Sequence, residues 1–185
     1  MRAFYRIRQT WSALTAKPEK SDLEEVEKFL SPSQFSLFKG LHPSEQSHSI
    51  AVYLQLLENG AKQPDLLAAA LLHDVGKNRY PIHFWDKIAI VLGKGLASSL
   101  IESWGAAEPE SWKRPFVVSQ KHAEWGAQMA ADAGASQLTV DLINRHQEQI
   151  PAEDKAPSNN HKNTNPSTQT EDQLLALLQQ FDNNN

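Results

Sequence analysis

The sequence predicts an all-α fold, a helical bundle, and three observations carry that prediction. Apolar side chains recur three and four residues apart in most segments of the 185-residue chain, which is the spacing of one helix face. Proline, glycine and small polar residues fall between those segments, where helices begin and end. Residues 66–72 read LLAAALL, apolar on every side, as expected for a helix surrounded by others.

Composition limits the classes of function. At 40% hydrophobic content the chain fits one domain with a substantial core, and its formal charge of -4 argues against general nucleic-acid binding. There are 0 Cys, so any metal must be held by imidazole and carboxylate groups, which leaves Mn, Fe, Co, Ni, Zn or Mg. The longest apolar run, 66–72, is too short for a transmembrane segment, and the start lacks a signal-peptide core. We therefore expect a cytoplasmic protein.

Residues 1–40 are predicted to form helices that pack on the remainder. Residues 2–16 have an amphipathic helical pattern with arginines nearby. This first helix packs on the body of the domain or, being basic and amphipathic, lies on a membrane surface or docks a partner. Ser21 with Glu24 forms a predicted capping box for a second helix that ends near Leu30.

Residues 41–182 are predicted to form the main domain. Ser44 is the predicted N-cap of a helix that runs to Asn59, and Gly60 stops it. His48 shares an apolar stripe on this helix and therefore points at the core. Alone, such a histidine would be interpreted as a hydrogen-bonded core residue.

The central helix starts at Pro64 and runs directly into His73 and Asp74. A carboxylate at the end of a buried helix is costly unless it is hydrogen-bonded, ion-paired or bound to a metal. Gly76 is predicted to take the left-handed conformation that ends a helix, and Lys77 lies where the helix dipole favours a cation. The His-Asp pair is either a polar helix end leading into a turn or part of a binding site.

In the middle of the chain the sequence predicts two helices between 84 and 104, with two glycines between them. The segment that contains these glycines does not match a phosphate-binding loop. A loop follows at 105–115. It carries the basic and aromatic run Trp112, Lys113 and Arg114, which indicates either a solvated loop anchored by burial of Trp112 or a loop that contacts phosphate.

Two further helices carry inward-facing histidines. Ser119 is the predicted N-cap of the first, which has His122 on its inward side and stops at Gly134. Ser136 opens the second, which has His146 on its inward side.

The end of the chain contrasts with these helices. Residues 151–170 are poor in apolar side chains and rich in Asn, Pro, Ser and Thr, which predicts a mobile insertion. Thr170 with Gln173 then caps a last helix whose apolar face ends in Asp182.

Metal-type ligands therefore lie on the inward side of five predicted segments: His48, His73 with Asp74, His122, His146 and Asp182. Burying all of these groups without a metal would require a separate partner for each. Four imidazoles and two carboxylates suit a pair of transition-metal ions bridged by one carboxylate, with a shared water that becomes hydroxide near neutral pH. Such a site is suited to attack on a phosphate ester.

The order of these residues, with LLHDVGK at its centre, resembles the HD-domain superfamily of metal-dependent phosphohydrolases. The resemblance spans 41–182. EQSHSIAVYLQLLENG is similar to the first-histidine helix of that family, and LLAAALLHDVGK to its doublet helix. KHAEWGAQMAADAGAS and LINRHQE are similar to the two extra histidine segments of dinuclear members, and LLALLQQFD to the terminal aspartate helix.

The resemblance implies roles for individual residues. The core metal site would consist of His48, His73, Asp74 and Asp182, with Asp74 as the bridge, and His122 and His146 would complete a second metal. Lys77 aligns with a lysine that lies near the scissile phosphate in related HD phosphodiesterases, a position from which it would stabilise transition-state charge. The further candidates for phosphate contact are Arg145, Lys121 and Arg114.

The function implied is hydrolysis of a phosphomonoester or phosphodiester, with a nucleotide among the candidate substrates and one or two divalent ions as cofactors. After His146 the chain reads QEQIPAED, without the second, adjacent histidine and the Gly-Tyr-Pro signature of cyclic-di-GMP phosphodiesterases. The alternative is a non-catalytic HD module that binds a nucleotide or a protein partner as a regulator.

Overall fold

The computed structural model describes residues 17–80, 104–105, 107–148 and 170–183. Its principal helices are α1 (Lys20–Phe29), α2 (Pro32–Lys39), α3 (Pro43–Glu58), α4 (Pro64–Leu72), a 3-10 helix (Val75–Arg79), α5 (Arg114–Asp132), α6 (Gln137–Arg145) and α7 (Glu171–Asp182). The described residues contain no strand, and the prediction of an all-α bundle is confirmed.

Several predicted segments lie wholly or almost wholly outside the described residues. They are the amphipathic helix at 2–16, the two helices between 84 and 104, and the insertion at 151–170. These remain predictions. In the part of the chain that the structure describes, no helix is both long and apolar enough to cross a membrane.

Helix α4 lies at the centre of the bundle. It contacts α2, α3, α6 and α7, and Leu66, Leu71 and Leu72 have no exposed surface. Burying each of these leucines contributes about 1.5–3 kcal/mol to folding, so the apolar segment stabilises the position of its own C-terminal end. That end carries His73 and Asp74.

The helices before residue 41 share the core of the later ones. Val26 and Leu30 of the α1 region and Phe38 of α2 belong to one buried apolar cluster with residues of α3, α4, α6 and α7. The division of the chain at residue 40 remains a prediction.

Four predicted helix ends are confirmed. The Ser136 side chain accepts a hydrogen bond from the backbone N–H of Thr139, and Thr170 forms a reciprocal capping box with Gln173. Gly60 and Gly134 have positive φ angles of 82° and 76°, the left-handed conformation that only glycine adopts without strain.

Three predicted N-caps are wrong. Helix α1 begins at Lys20, so Ser21 lies inside it and its hydroxyl faces Asp22. Helix α3 begins at Pro43, whose fixed φ suits the first helical position, and this moves the cap from Ser44 to His42.

The third error concerns Ser119. Helix α5 begins five residues earlier, at Arg114, with Pro115 in its first turn. Because the helix starts inside the predicted loop 105–115, Ser119 occupies an interior position. Trp112 precedes the helix and is 72% exposed, so it is not the buried anchor of a loop.

The role predicted for Gly76 is also wrong. It lies in the 3-10 helix and has no positive φ. A Cβ atom at this position would lie 1.9 Å from the carbonyl oxygen of His122 and 2.6 Å from the backbone nitrogen of Gly126. Glycine is required because the 3-10 helix meets the backbone of α5, and this contact brings Asp74 towards His122.

Candidate metal centre

The centre is built on the two residues that follow α4. The backbone N–H of His73 donates to the carbonyl of Ala69 at 2.8 Å, so His73 continues the turn of the helix, and Asp74 is the N-cap of the 3-10 helix. The exposed fractions of His73 and Asp74 are 1% and 3%. Both polar side chains are thus held inside the bundle, where each needs a partner.

A first ligand group consists of His48, His73 and Asp74. Their candidate ligand atoms all lie within 4.8 Å of one another. Asp182, at the end of α7, adjoins this group, since its Oδ1 lies 2.8 Å from Nε2 of His48 and 3.4 Å from Nε2 of His73. Helices α3, α4 and α7 therefore bring together the four residues predicted for the core metal site.

A second ligand group consists of Asp74, His122 and His146, also within 4.8 Å of one another. Nε2 of His122 lies 3.3 Å from Oδ1 of Asp74, whereas Nε2 of His73 lies 3.6 Å from Oδ2. The two oxygens of Asp74 therefore face different groups. A carboxylate in this position can bridge two ions.

The imidazole rings are oriented by the carbonyls of their own helices. Nδ1 of His73, His122 and His146 lies 2.9, 2.9 and 2.7 Å from the carbonyl oxygens of Ala70, Val118 and Ile143. A carbonyl only accepts hydrogen bonds, so each Nδ1 carries the proton and, in the neutral ring, Nε2 offers its lone pair to the interior. Metal-binding histidines are held in this way.

The Nε2 atom of His73 tests whether these residues fit a metal. This nitrogen is buried and makes no hydrogen bond within the described part of the chain. A coordinated cation would satisfy it, and the surrounding donor set of imidazoles and carboxylates is one that divalent transition metals accept. The residues fit a metal ion.

Comparison with protein families agrees with this geometry. The family model named HD domain matches residues 46–184, most of the chain. The chain belongs to the HD-domain family. No curated protein and no solved structure gives a significant match. HD domains usually bind divalent metals, and this HD domain has histidine and aspartate groups arranged to hold one.

The electrostatics of the first ligand group favour a positive charge at its centre. Burial acts to lower the pKa of His73, but the Asp74 and Asp182 carboxylates outweigh it and raise that pKa to about 9. Burial acts to raise the pKa of Asp74, yet Lys77, His73 and His122 hold it well below its usual range. A proton on His73 thus occupies the region that a metal would take, and metal binding requires its release.

The second ligand group contains a neutral imidazole. Burial, together with the neighbouring His73 and His122, lowers the pKa of His146 to about 4. His146 is therefore unprotonated near neutral pH. It is ready to coordinate without losing a proton.

Lys77 lies beside the shared carboxylate. Its ammonium donates to Oδ2 of Asp74 at 2.6 Å and to Oε2 of Glu45 at 2.9 Å. Burial acts to lower the pKa of Lys77, but these two carboxylates keep it above its ordinary value. The side chain therefore remains a cation at the edge of the centre.

Sequence reasoning missed Glu45. It lies three residues before His48 on α3, so both side chains project from one face of the helix. The signal that could have indicated Glu45 is that a half-buried lysine next to the His-Asp pair needs a second carboxylate in addition to Asp74. Glu45 supplies that charge.

The other three residues predicted to contact phosphate are Arg145, Lys121 and Arg114. Arg145 is paired with three carboxylates, those of Glu148, Glu171 and Asp172. These carboxylates balance the charge of Arg145, and its contact with a phosphate remains a prediction. Lys121 and Arg114 are partly buried on α5, the helix of His122, and their contacts with substrate remain predictions.

Proposed function

We propose that this HD domain is a phosphohydrolase that cleaves a phosphomonoester or phosphodiester by means of two divalent ions. The observation that carries the proposal is the position of Asp74, whose two oxygens face two separate ligand groups. A bound pair of divalent ions would neutralise phosphate oxygens and lower the pKa of the attacking water.

The protein's own residues would hold and orient these ions. We assign the first ion to His48, His73, Asp74 and Asp182, and the second to Asp74, His122 and His146. The Nδ1 hydrogen bonds to backbone carbonyls fix three of the four rings, so the site needs little rearrangement when it is loaded. Such preorganisation favours electrostatic stabilisation of the transition state.

Lys77 supports the proposal through its charge. An ammonium that stays protonated cannot accept a proton from water, so Lys77 is unsuited to act as a general base. A fixed cation next to the bridging carboxylate is instead suited to stabilise the negative charge that develops on a phosphate in the transition state. We assign it that role.

The substrate class that fits is a phosphorylated small molecule, with nucleotides among the candidates. The overall charge of -4 makes long nucleic acids unfavourable partners. The chain lacks the second, adjacent histidine and the Gly-Tyr-Pro signature that would follow His146, so we do not propose cyclic-di-GMP as substrate.

The test is a screen of phosphomonoesters, nucleotides and phosphodiesters with metal-free protein reloaded separately with Mn, Fe, Co, Ni, Zn or Mg. We expect turnover with at least one ion and none after chelation. An Asp74→Asn variant should be inactive with every ion. Stoichiometric metal without turnover on any phosphoester would instead favour a non-catalytic HD module that binds a nucleotide or a protein partner.

A further inference from the structure

Gln179, on α7, is not among the residues assigned to the ions, yet its side chain hydrogen-bonds to the backbone of one of them, His146. Its side-chain amide donates to the carbonyl oxygens of Glu148 at 2.7 Å and His146 at 3.0 Å, with a longer contact to Arg145 at 3.4 Å. Gln179 is 8% exposed, so these hydrogen bonds form largely out of solvent.

The carbonyls that Gln179 reaches lie at and just beyond the C-terminal end of α6. The last carbonyls of a helix have no partner within it and must be satisfied by other groups. Helix α6 ends at Arg145, and His146 is its C-cap residue. Gln179 therefore caps the end of α6 from a different helix.

His146 is consequently fixed from two directions. Its ring Nδ1 donates to Ile143 within α6, and its backbone carbonyl accepts from Gln179 of α7. The first contact sets the rotation of the ring, whereas the second sets where the Cα atom lies relative to Asp74. Without the amide, the backbone carbonyls of the turn at 146–148 would lose these hydrogen bonds from α7.

Gln179 is itself held firmly. Its backbone carbonyl accepts from the N–H of Asn183 at 3.1 Å and from the side-chain amide of Asn183 at 2.7 Å. Asp182, which adjoins the first ligand group, lies three residues later on the same helix. One turn of α7 thus presents a carboxylate to the first ligand group and an amide to the backbone of the second.

We propose that Gln179 is a positioning residue for His146 and sets the affinity of the second ligand group for its ion without touching that ion. The inference rests on the proposed two-metal function. A positioning residue next to a metal ligand typically changes metal affinity about 10–100-fold. Replacing Gln179 should therefore weaken metal binding at the second ligand group and leave the affinity of the first unchanged.

The chain offers a matched control in Gln46. Its side-chain amide also reaches three backbone carbonyls, those of Phe38, Lys39 and Leu41 at 3.4, 3.1 and 3.1 Å. It caps the end of α2 from α3, and its exposed fraction is 9%. The end that it caps carries none of the residues assigned to the ions, so replacing Gln46 removes the same kind of contact away from His146.

The experiment is a titration of metal-free protein with Co(II), followed by visible absorption, in wild type, Gln179→Met, Gln179→Asn, Gln46→Met and His146→Ala. We expect two equivalents in wild type. In Gln179→Met one equivalent should bind about 10–100-fold more weakly, and the lost absorption should match that lost in His146→Ala. Gln46→Met should bind both equivalents as wild type does.

Gln179→Asn keeps the amide but on a side chain too short to reach the same carbonyls. It serves as the test variant if circular dichroism shows that Gln179→Met is unfolded. We expect it, too, to bind one equivalent of Co(II) more weakly than wild type does. Three results would overturn the inference alone: unchanged binding of both equivalents, equal weakening of both, or the same loss in Gln46→Met. Fewer than two equivalents in wild type would overturn it together with the two-metal proposal.

Discussion

Asp74 is the residue on which both ligand groups depend. It is buried, it follows the central helix directly, and Lys77, His73 and His122 lie within 2.6–3.6 Å of its oxygens. Three groups capable of positive charge thus surround one carboxylate. Its negative charge stabilises the metal-free protein and, in our proposal, joins the two ions when they bind.

The first prediction concerns the removal of this carboxylate. Asp74→Ala should abolish metal binding at both groups, as inductively coupled plasma mass spectrometry would measure. It should also lower the free energy of unfolding by about 3–5 kcal/mol, because Lys77 and His73 lose a buried counter-charge. Asp172→Ala removes an exposed carboxylate paired with Arg145 and serves as the control. Full metal content in Asp74→Ala would remove this residue from the site.

The second prediction concerns Lys77. Lys77→Met should lower kcat about 10²–10³-fold while metal content stays at the wild-type value, because the role we propose for the ammonium is to stabilise the transition state and not to bind metal. Lys77→Arg keeps a positive charge and should retain more activity than Lys77→Met. Equal kcat in wild type and Lys77→Met would exclude the role in catalysis.

At the scale of secondary-structure elements, the 3-10 helix and α5 meet backbone to backbone at Gly76. The backbone of Gly76 meets the backbone of α5 between His122 and Gly126. Two backbones approach this closely only where no Cβ stands between them. The contact fixes the separation between Asp74, at the start of the 3-10 helix, and His122.

The third prediction tests that contact. Gly76→Ala should lower the free energy of unfolding by about 3 kcal/mol, since the new methyl group must displace backbone rather than a flexible side chain. Metal content should fall as well. Gly60→Ala is the comparison, because a methyl group there would meet no atoms within 4 Å and only the φ of 82° opposes alanine. Its cost should be about 1–2 kcal/mol, with metal content unchanged. A Gly76→Ala protein as stable as wild type would contradict this account of the contact.

The fourth prediction concerns the link between α6 and α7. Arg145 joins the end of α6 to Glu171 and Asp172 in the first turn of α7. These ion pairs are partly exposed, so Arg145→Met should cost only about 1 kcal/mol, with a smaller difference from wild type at high salt. KM and kcat for the identified substrate should be unchanged. A large rise in KM would instead support the predicted contact between Arg145 and a phosphate.

Sequence patterns predicted the elements better than their ends. Helical periodicity placed His48, His122 and His146 on inward faces, because the period of a helix is independent of its exact start. Caps were predicted where a small polar residue stood without competition, as at Ser136 and Thr170. They failed at Ser44 and Ser119, where a nearby proline set the start of the helix instead.

Over the whole molecule, five segments distant in the chain deliver side chains to one interior region. The local apolar pattern predicts which face of each helix is buried and which ligand-type side chains lie on it. The resemblance to HD domains then assigned these side chains to metal sites. The partners Glu45 and Gln179 were not predicted, because their roles depend on which helix ends meet in three dimensions. Glu45 meets Lys77 across 32 positions, and Gln179 meets His146 across 33.

The measurement that tests the central claim most directly is the metal content of freshly purified wild-type protein. The two ligand groups predict about two divalent ions per chain, held through buffer exchange and removed by a chelator. A folded protein that carries no stoichiometric metal, and takes up none when Mn, Fe, Co, Ni, Zn or Mg is supplied, would contradict the claim.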